Sequence, residues 1–156
     1  MSTHTYHIHT FGCQMNVADS GHVLIGNAAA VHIDADKIRH TGHGLHYLSA
    51  AVLDREGRIP VGCNGENAAF PEGLCAEAGA IAAMVAAGGR EILAVAIVGG
   101  PAEGEPVLCP PCGGCRQKIR EFAVDTTTVH LRDDGGAVTS LTAAELLPLS
   151  FGPGHL

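Results

Sequence analysis

Three cysteines in two short clusters constrain this chain more than any other feature of its sequence. Cys75 is followed two residues later by Glu77, and Cys112 and Cys115 lie in the run PCGGC. Thiolates are good zinc ligands, and a catalytic zinc site usually has three protein ligands and one tetrahedral position left for water. The fold is therefore expected to bring two distant parts of the chain together around one metal ion.

The carboxylate beside the first cysteine indicates catalysis. If Cys75 and Cys112 each begin a helix, the N–H groups of the first turn favour a negative charge on the sulfur. Glu77 is too close to Cys75 to be a convenient ligand, but it can reach the open position and there take a proton from water and pass it on. We predict that Cys75, Cys112 and Cys115 bind Zn²⁺ and that Glu77 is the proton shuttle. A non-catalytic zinc-stabilised binding module stays open, since a nearby histidine would close the site.

The order of predicted elements indicates an α/β domain. A charged turn at residues 54–58 joins two extended runs, which predicts a hairpin. A helix that ends at Gly88 and Gly89, a continuous apolar strand and a helix after the second cysteine pair are expected next. Two more strands and a capping box at Thr142 complete the pattern. The corresponding ranges are 47–63, 74–87, 91–98, 126–131 and 137–141. Helices are expected on both faces of a mixed sheet.

Residues 1–44 differ in character from the rest of the chain. A length of 156 residues suggests one domain. Seven of the ten histidines lie in this first stretch without strict ligand spacing, and residues 23–33 fit either a strand or a helix. We predict an atypical N-terminal segment over residues 1–44, packed on a zinc-dependent catalytic domain over residues 45–156.

The charge balance and the apolar pattern limit the partners. Sixteen acidic residues against nine basic residues give a net charge of −7, and no run of Lys and Arg forms a phosphate-binding face. Nucleic acid is therefore not an expected partner. No signal peptide and no apolar run long enough to cross a bilayer are recognisable, so neither membrane contact nor export is expected. A cytoplasmic protein with mostly reduced cysteines is predicted.

The motifs together carry a resemblance to a known family. The run Cys75-Ala76-Glu77, the run PCGGCRQ from Pro111, the preceding NGEN from Asn64 and the FGP from Phe151 resemble the cytidine deaminase family over roughly residues 46–156. The resemblance implies a three-layer α/β/α fold with a mixed five-stranded sheet and a homotetramer. It also implies a hydrolase of pyrimidine salvage that converts cytidine or deoxycytidine to the uridine product with release of ammonia, zinc-bound hydroxide attacking C4 and Glu77 shuttling protons.

The same resemblance implies four substrate contacts. Asn64 and Glu66 would hydrogen-bond the ribose, and the backbone N–H of Ala76 would face the carbonyl of the pyrimidine. Phe151 would reach the pocket of a neighbouring subunit. Alternatives remain for the ribose contact and for Phe151: a loop cap, with Asn64 and Asn67 bonding their own backbone, and a C-terminal core anchor at Phe151.

Two departures from the family pattern leave the exact nucleoside open. The family usually has Arg directly after the catalytic Glu, where this chain has Ala78, so helix N-termini and Arg116 are the groups that could offset the thiolate charge. Upstream, LHYLSA at residues 45–50 replaces a segment in which the family has Asn and Phe. The blasticidin-S deaminase branch departs at similar places. Another aminated nucleoside or a nucleoside antibiotic is therefore the alternative substrate.

Overall fold

A mixed five-stranded sheet forms the centre of the molecule. The computed structural model describes residues 20–25, 29–34, 46–65, 67–101, 107–132 and 137–156. The strands in these ranges are β1 (Ser20–Ile25), β2 (Ala29–Asp34), β3 (His46–Asp54), β4 (Val61–Cys63), β5 (Ile92–Pro101), β6 (Ala123–Arg132) and β7 (Val138–Thr142). The helices are α1 (Ala76–Ala86), α2 (Gly113–Phe122) and α3 (Ala143–Leu146). The sheet order is β4-β3-β5-β6-β7, with β5 and β6 parallel and the other neighbours antiparallel. The predicted mixed five-stranded sheet is confirmed.

Strand β5 lies in the middle of the sheet and is buried along almost its whole length. Because successive side chains point to opposite faces, its apolar residues divide between two clusters. Val95 and Ile97 belong to the larger cluster, and Ala94, Ala96 and Val98 to the smaller one. Because both faces of β5 are buried in apolar clusters, its sequence is a continuous apolar run, as predicted for a central strand.

The three described helices pack against one face of the sheet. The larger core cluster contains Ala80 and Met84 from α1, Ile119 from α2 and Leu146 from α3. Helix α1 also contacts β3, β4 and α2, and α2 contacts α3. The helices that carry the two cysteine clusters are therefore neighbours over the same layer of apolar side chains.

Strands β1 and β2 form a separate antiparallel hairpin. Within residues 23–33, which fit either a strand or a helix by sequence, residues 23–25 lie in β1 and residues 29–33 in β2, and the rest lie outside the described residues. The hairpin contacts β3, β5 and β6 of the main sheet. The predicted boundary between residues 44 and 45 stays a prediction, because residues 35–45 lie outside the described part.

The turn between β3 and β4 is attached to the far end of α1. Asp54 is fully buried, and its carboxylate accepts hydrogen bonds from the N–H of Arg58 at 2.8 Å and from Nε of Arg58 at 2.7 Å. A second nitrogen of the Arg58 guanidinium donates to the carbonyl of Ala87 at the end of α1. Arg58 therefore connects the hairpin to the helix. Its guanidinium also satisfies a carbonyl that the helix leaves without an internal partner.

Both predicted helix-end signals are present. Gly88 has φ +88°, its N–H donates to Val85 O, and the N–H of Gly89 donates to Met84 O, which together form a Schellman motif. At α3, the Thr142 hydroxyl accepts the N–H of Glu145 at 3.1 Å, and the Glu145 carboxylate accepts the N–H of Thr142 at 2.7 Å. The capping box predicted from the sequence is therefore formed.

Candidate metal centre and active site

The two cysteine clusters meet at the N-terminal ends of two neighbouring helices. Cys75 is the N-cap residue of α1, Cys112 is the N-cap residue of α2, and Cys115 lies in the first turn of α2. The three sulfur atoms all lie within 4.8 Å of one another, which is close enough for them to bind one metal ion together. Sequence-distant ligands are therefore brought together as predicted.

The distance between two of the sulfur atoms fits a tetrahedral zinc site. Cys75 Sγ and Cys112 Sγ are 3.8 Å apart. A tetrahedron with Zn–S bonds of about 2.3 Å has an edge of about 3.8 Å between its sulfur ligands. The distance and the all-thiol donor set suit Zn²⁺, with a fourth position open to a non-protein ligand.

The thiols interact strongly with one another and with Glu77. Burial, followed by the charge of Glu77, raises the pKa of Cys115, and burial raises the pKa of Cys75. The pKa of Cys112 is lowered, chiefly because the backbone N–H of Cys115 donates to its sulfur. A raised pKa keeps the Cys75 and Cys115 thiols protonated in the absence of a cation, and a divalent metal supplies the charge that allows them to bind as thiolates.

Glu77 is buried directly beside the sulfur atoms. It is 1% exposed, and its Oε2 accepts a hydrogen bond from the Cys115 thiol at 3.4 Å. Its Oε1 is buried and has no hydrogen-bond partner among the described residues. Because a buried carboxylate oxygen without a partner is costly, this atom is suited to accept a hydrogen bond from a proton donor that enters the site.

A short bridge holds the predicted ribose-binding loop next to the first cysteine. Gly65 and Leu74 exchange backbone hydrogen bonds of 2.7 and 2.8 Å, so that Asn64 and Cys75 flank the same bridge. Asn64 Oδ1 accepts the N–H of Leu48 in β3 at 2.9 Å, whereas Asn67 Oδ1 accepts the N–H of Ala69 within the loop at 2.9 Å, as expected of the loop-cap alternative. Glu66 lies outside the described residues, and ribose contact by either side chain stays a prediction.

The other two predicted substrate contacts differ in exposure. Ala76 is fully buried and is the first residue of α1, where helix N–H groups lack internal acceptors. Phe151 is 60% exposed and stacks on His155, with ring centroids 5.2 Å apart. Its carbonyl accepts a hydrogen bond from Gln117 of α2 at 3.0 Å. Phe151 is therefore not a core anchor within this chain.

Two further side chains lie near the site. The Arg116 guanidinium donates to the carbonyls of Pro111 and Leu146, and the charge compensation that the sequence suggests for it stays a prediction. The pKa of the Cys109 thiol is raised by burial and, to a smaller extent, by the charge of Glu77, as expected of an unreactive, partly buried thiol.

Comparison of the sequence with models of known protein families gives a match over residues 27–131. The matching family is described as the cytidine and deoxycytidylate deaminase zinc-binding region. The chain belongs to this family. The match includes all three cysteines and Glu77, and it begins within the N-terminal stretch that looked atypical by sequence.

Proteins of known identity agree with the family assignment. The chain is 36% identical over 119 residues to a cytidine deaminase of Halalkalibacterium halodurans, covering 76% of this chain and 87% of that protein. It is 41% identical over 104 residues to a cytidine deaminase of Sporosarcina psychrophila, covering 67% and 74%. The crystal structure of a cytidine deaminase from Burkholderia pseudomallei has a TM-score of 0.63 and 34% identity, covering 71% of this chain and 86% of that chain. The deaminase fold and the zinc-binding region of this family are thus present here.

Proposed function

We propose that this chain is a zinc-dependent cytidine deaminase that converts cytidine or deoxycytidine and water to the corresponding uridine and ammonia. The observation that carries the proposal is the buried Glu77 carboxylate beside three converging cysteine sulfurs. A structural zinc site would have no use for such a carboxylate. The relatives named cytidine deaminase support the same substrate class.

The residues of the site are proposed to have separate roles in the hydrolysis. Cys75, Cys112 and Cys115 hold the metal, which when bound lowers the pKa of a water molecule enough to supply hydroxide near neutral pH. Glu77 would take one proton from a water molecule at the site and deliver it to N3 of the base, and would then take the second proton from the resulting C4 hydroxyl and deliver it to the amino group, which leaves as ammonia. The N–H of Ala76 is proposed to orient the pyrimidine carbonyl, and Asn64 and Glu66 to bind the ribose.

The test of this function is ammonia release by the purified protein loaded with zinc. We expect turnover of cytidine and deoxycytidine, measured beside adenosine, guanosine and blasticidin S. The Glu77→Gln variant should lose activity by about 100- to 10,000-fold while its zinc content stays at one per chain, because proton transfer is removed and the ligands are kept. Glu121→Gln, which changes an exposed carboxylate on α2, is the matched control and should stay active.

Two results would contradict the proposal in different ways. Full activity of Glu77→Gln would refute the proton-shuttle role. Turnover of another aminated nucleoside, with both cytidines inert, would mean that the pocket around the altered 45–50 segment accepts a different base.

We also propose that the enzyme works as a cytoplasmic homotetramer. Leu74, Val107, Leu108 and Phe151 are 44–60% exposed and belong to the segments that flank the metal ligands and α2. Burial of these side chains against other copies would enclose the site, as the resemblance implies for Phe151. None of the helices in the described part is long and apolar enough to cross a membrane. The described cysteines are all free, as expected in a reducing compartment.

A further inference from the structure

Arg116, the residue after the ligand Cys115, makes three hydrogen bonds around the other ligand of α2. Its backbone N–H donates to Cys112 O at 2.9 Å, and its Nε donates to Pro111 O at 2.8 Å. A terminal nitrogen of the same guanidinium donates to Leu146 O at 3.2 Å. Pro111 is buried and precedes Cys112 directly.

These bonds hold both peptide groups that flank the α-carbon of Cys112. Pro111 O belongs to the peptide before that carbon, and Cys112 O to the peptide after it. Fixing the two peptide planes fixes φ and ψ of Cys112, which the structure has at −64° and 165°, and so sets the direction of its Cα–Cβ bond, from which the sulfur extends. Pro111 has no N–H of its own, so its carbonyl is the one backbone group through which this residue can be held by hydrogen bonding.

The third bond connects the metal loop to the core. Leu146 is the last residue of α3 and is 7% exposed within the larger apolar cluster. Its carbonyl is one of those that a helix leaves unpaired at its C-terminal end. Arg116 therefore ties the Cys112 turn to a packed element as well as to its own helix.

We propose that Arg116 is a positioning residue for the metal centre: it sets the place of the Cys112 sulfur relative to Cys75 and Cys115. A planar guanidinium suits this task because it can donate to two carbonyls at once from a rigid frame, which a lysine ammonium on a flexible stem cannot reproduce. The inference rests on the proposed zinc site, although its test does not use the deaminase activity.

The experiment compares Arg116→Gln and Arg116→Lys with the parent protein. We expect both variants to bind zinc about 10- to 100-fold more weakly in competition with a chromophoric chelator, because groups that orient metal ligands typically contribute that much. After substitution with Co²⁺, the visible absorption bands should change in position and intensity, since they report the geometry of the thiolate ligands. Arg120→Gln is the matched control, because Arg120 lies on the same helix and bonds Ser150 Oγ in the C-terminal segment.

Three outcomes would overturn the proposal. The first is parent-like zinc affinity and cobalt spectrum in Arg116→Gln. The second is full recovery in Arg116→Lys alone, which would assign a charge effect to Arg116. The third is an equal loss in Arg120→Gln, which would indicate general weakening of α2. If Arg116→Gln does not fold, Arg116→Lys decides by the same two measurements. A parent protein that shows the cobalt–thiolate bands but releases no ammonia would contradict the proposed function and leave the Arg116 inference testable.

Discussion

At the scale of single residues, two buried oxygen atoms lack hydrogen-bond partners among the described residues, and they have different meanings. One is Oε1 of Glu77 beside the metal ligands, and the other is Oγ of Ser49 in β3. Ser49 is 1% exposed and lies across from Val98 and Cys63 on the neighbouring strands. The Glu77 oxygen lies beside the cysteine sulfurs and can accept a hydrogen bond from a molecule bound there, whereas the Ser49 hydroxyl lies between two paired strands and carries the cost of desolvation.

Replacement of Ser49 by alanine is therefore expected to stabilise the protein. Removing a buried hydroxyl without a partner should raise the free energy of unfolding by about 1 kcal/mol. The measurement is urea unfolding of the zinc-loaded protein. Thr127→Val is the comparison, because the Thr127 hydroxyl is equally buried but accepts the N–H of Val124 at 2.8 Å and donates to the carbonyl of Ile92. Thr127→Val should lower the free energy of unfolding, and a loss in Ser49→Ala of similar size would show that the Ser49 hydroxyl does have a partner.

At the scale of elements, the first turn of α1 rests directly on the backbone of β4. A Cβ atom added at Gly62 would lie 2.3 Å from Ala76 O and 2.4 Å from Ala80 N. Ala76 lies between the metal-site residue Cys75 and the proposed proton shuttle Glu77. The absence of a side chain at Gly62 therefore sets how closely these functional groups approach the sheet.

Gly62→Ala should displace the start of α1 and with it the metal site. We expect a loss of about 1–3 kcal/mol in the free energy of unfolding, because backbone atoms cannot yield as a flexible side chain can. Zinc affinity should fall as well. Gly65→Ala is the matched control, since its added Cβ would make an ordinary contact of 3.7 Å with Leu74. Equal zinc affinity in the two variants would be incompatible with this role of Gly62.

The elements also show which parts of the fold the sequence could predict. The turn at residues 54–58, the stop at Gly88 and the capping box at Thr142 depend on local chemistry, and each was predicted. The convergence of Cys75 with Cys112 and Cys115 was predicted because metal chemistry requires it. The contact of Gly62 with α1 and the acceptors of Arg116 depend on backbone atoms of distant elements, which no residue pattern specifies. The N-terminal hairpin was ambiguous because its small and apolar residues follow neither helical nor strand periodicity.

At the scale of the whole molecule, a single copy leaves apolar side chains exposed around its site. Light scattering at micromolar concentration should give a mass about four times the 16.0 kDa of one chain.

Phe151→Ala should raise KM for cytidine and weaken assembly, because the exposed aromatic ring of the C-terminal segment would lose its proposed place in the pocket of a neighbouring subunit. Leu156→Ala, also in the exposed C-terminal segment, serves as the control. A monomer with full activity would contradict the proposed assembly.

The position of β5 between the two cysteine clusters has a consequence for how the protein matures. Cys75 precedes this strand and Cys112 follows it, so the two ligands, 3.8 Å apart in the fold, are separated along the chain by a strand that pairs with β3 on one side and β6 on the other. Such non-local pairing is slow compared with the formation of the individual helices. Since a preformed metal site rarely exists in an unfolded chain, we expect tight zinc binding to follow completion of the central sheet.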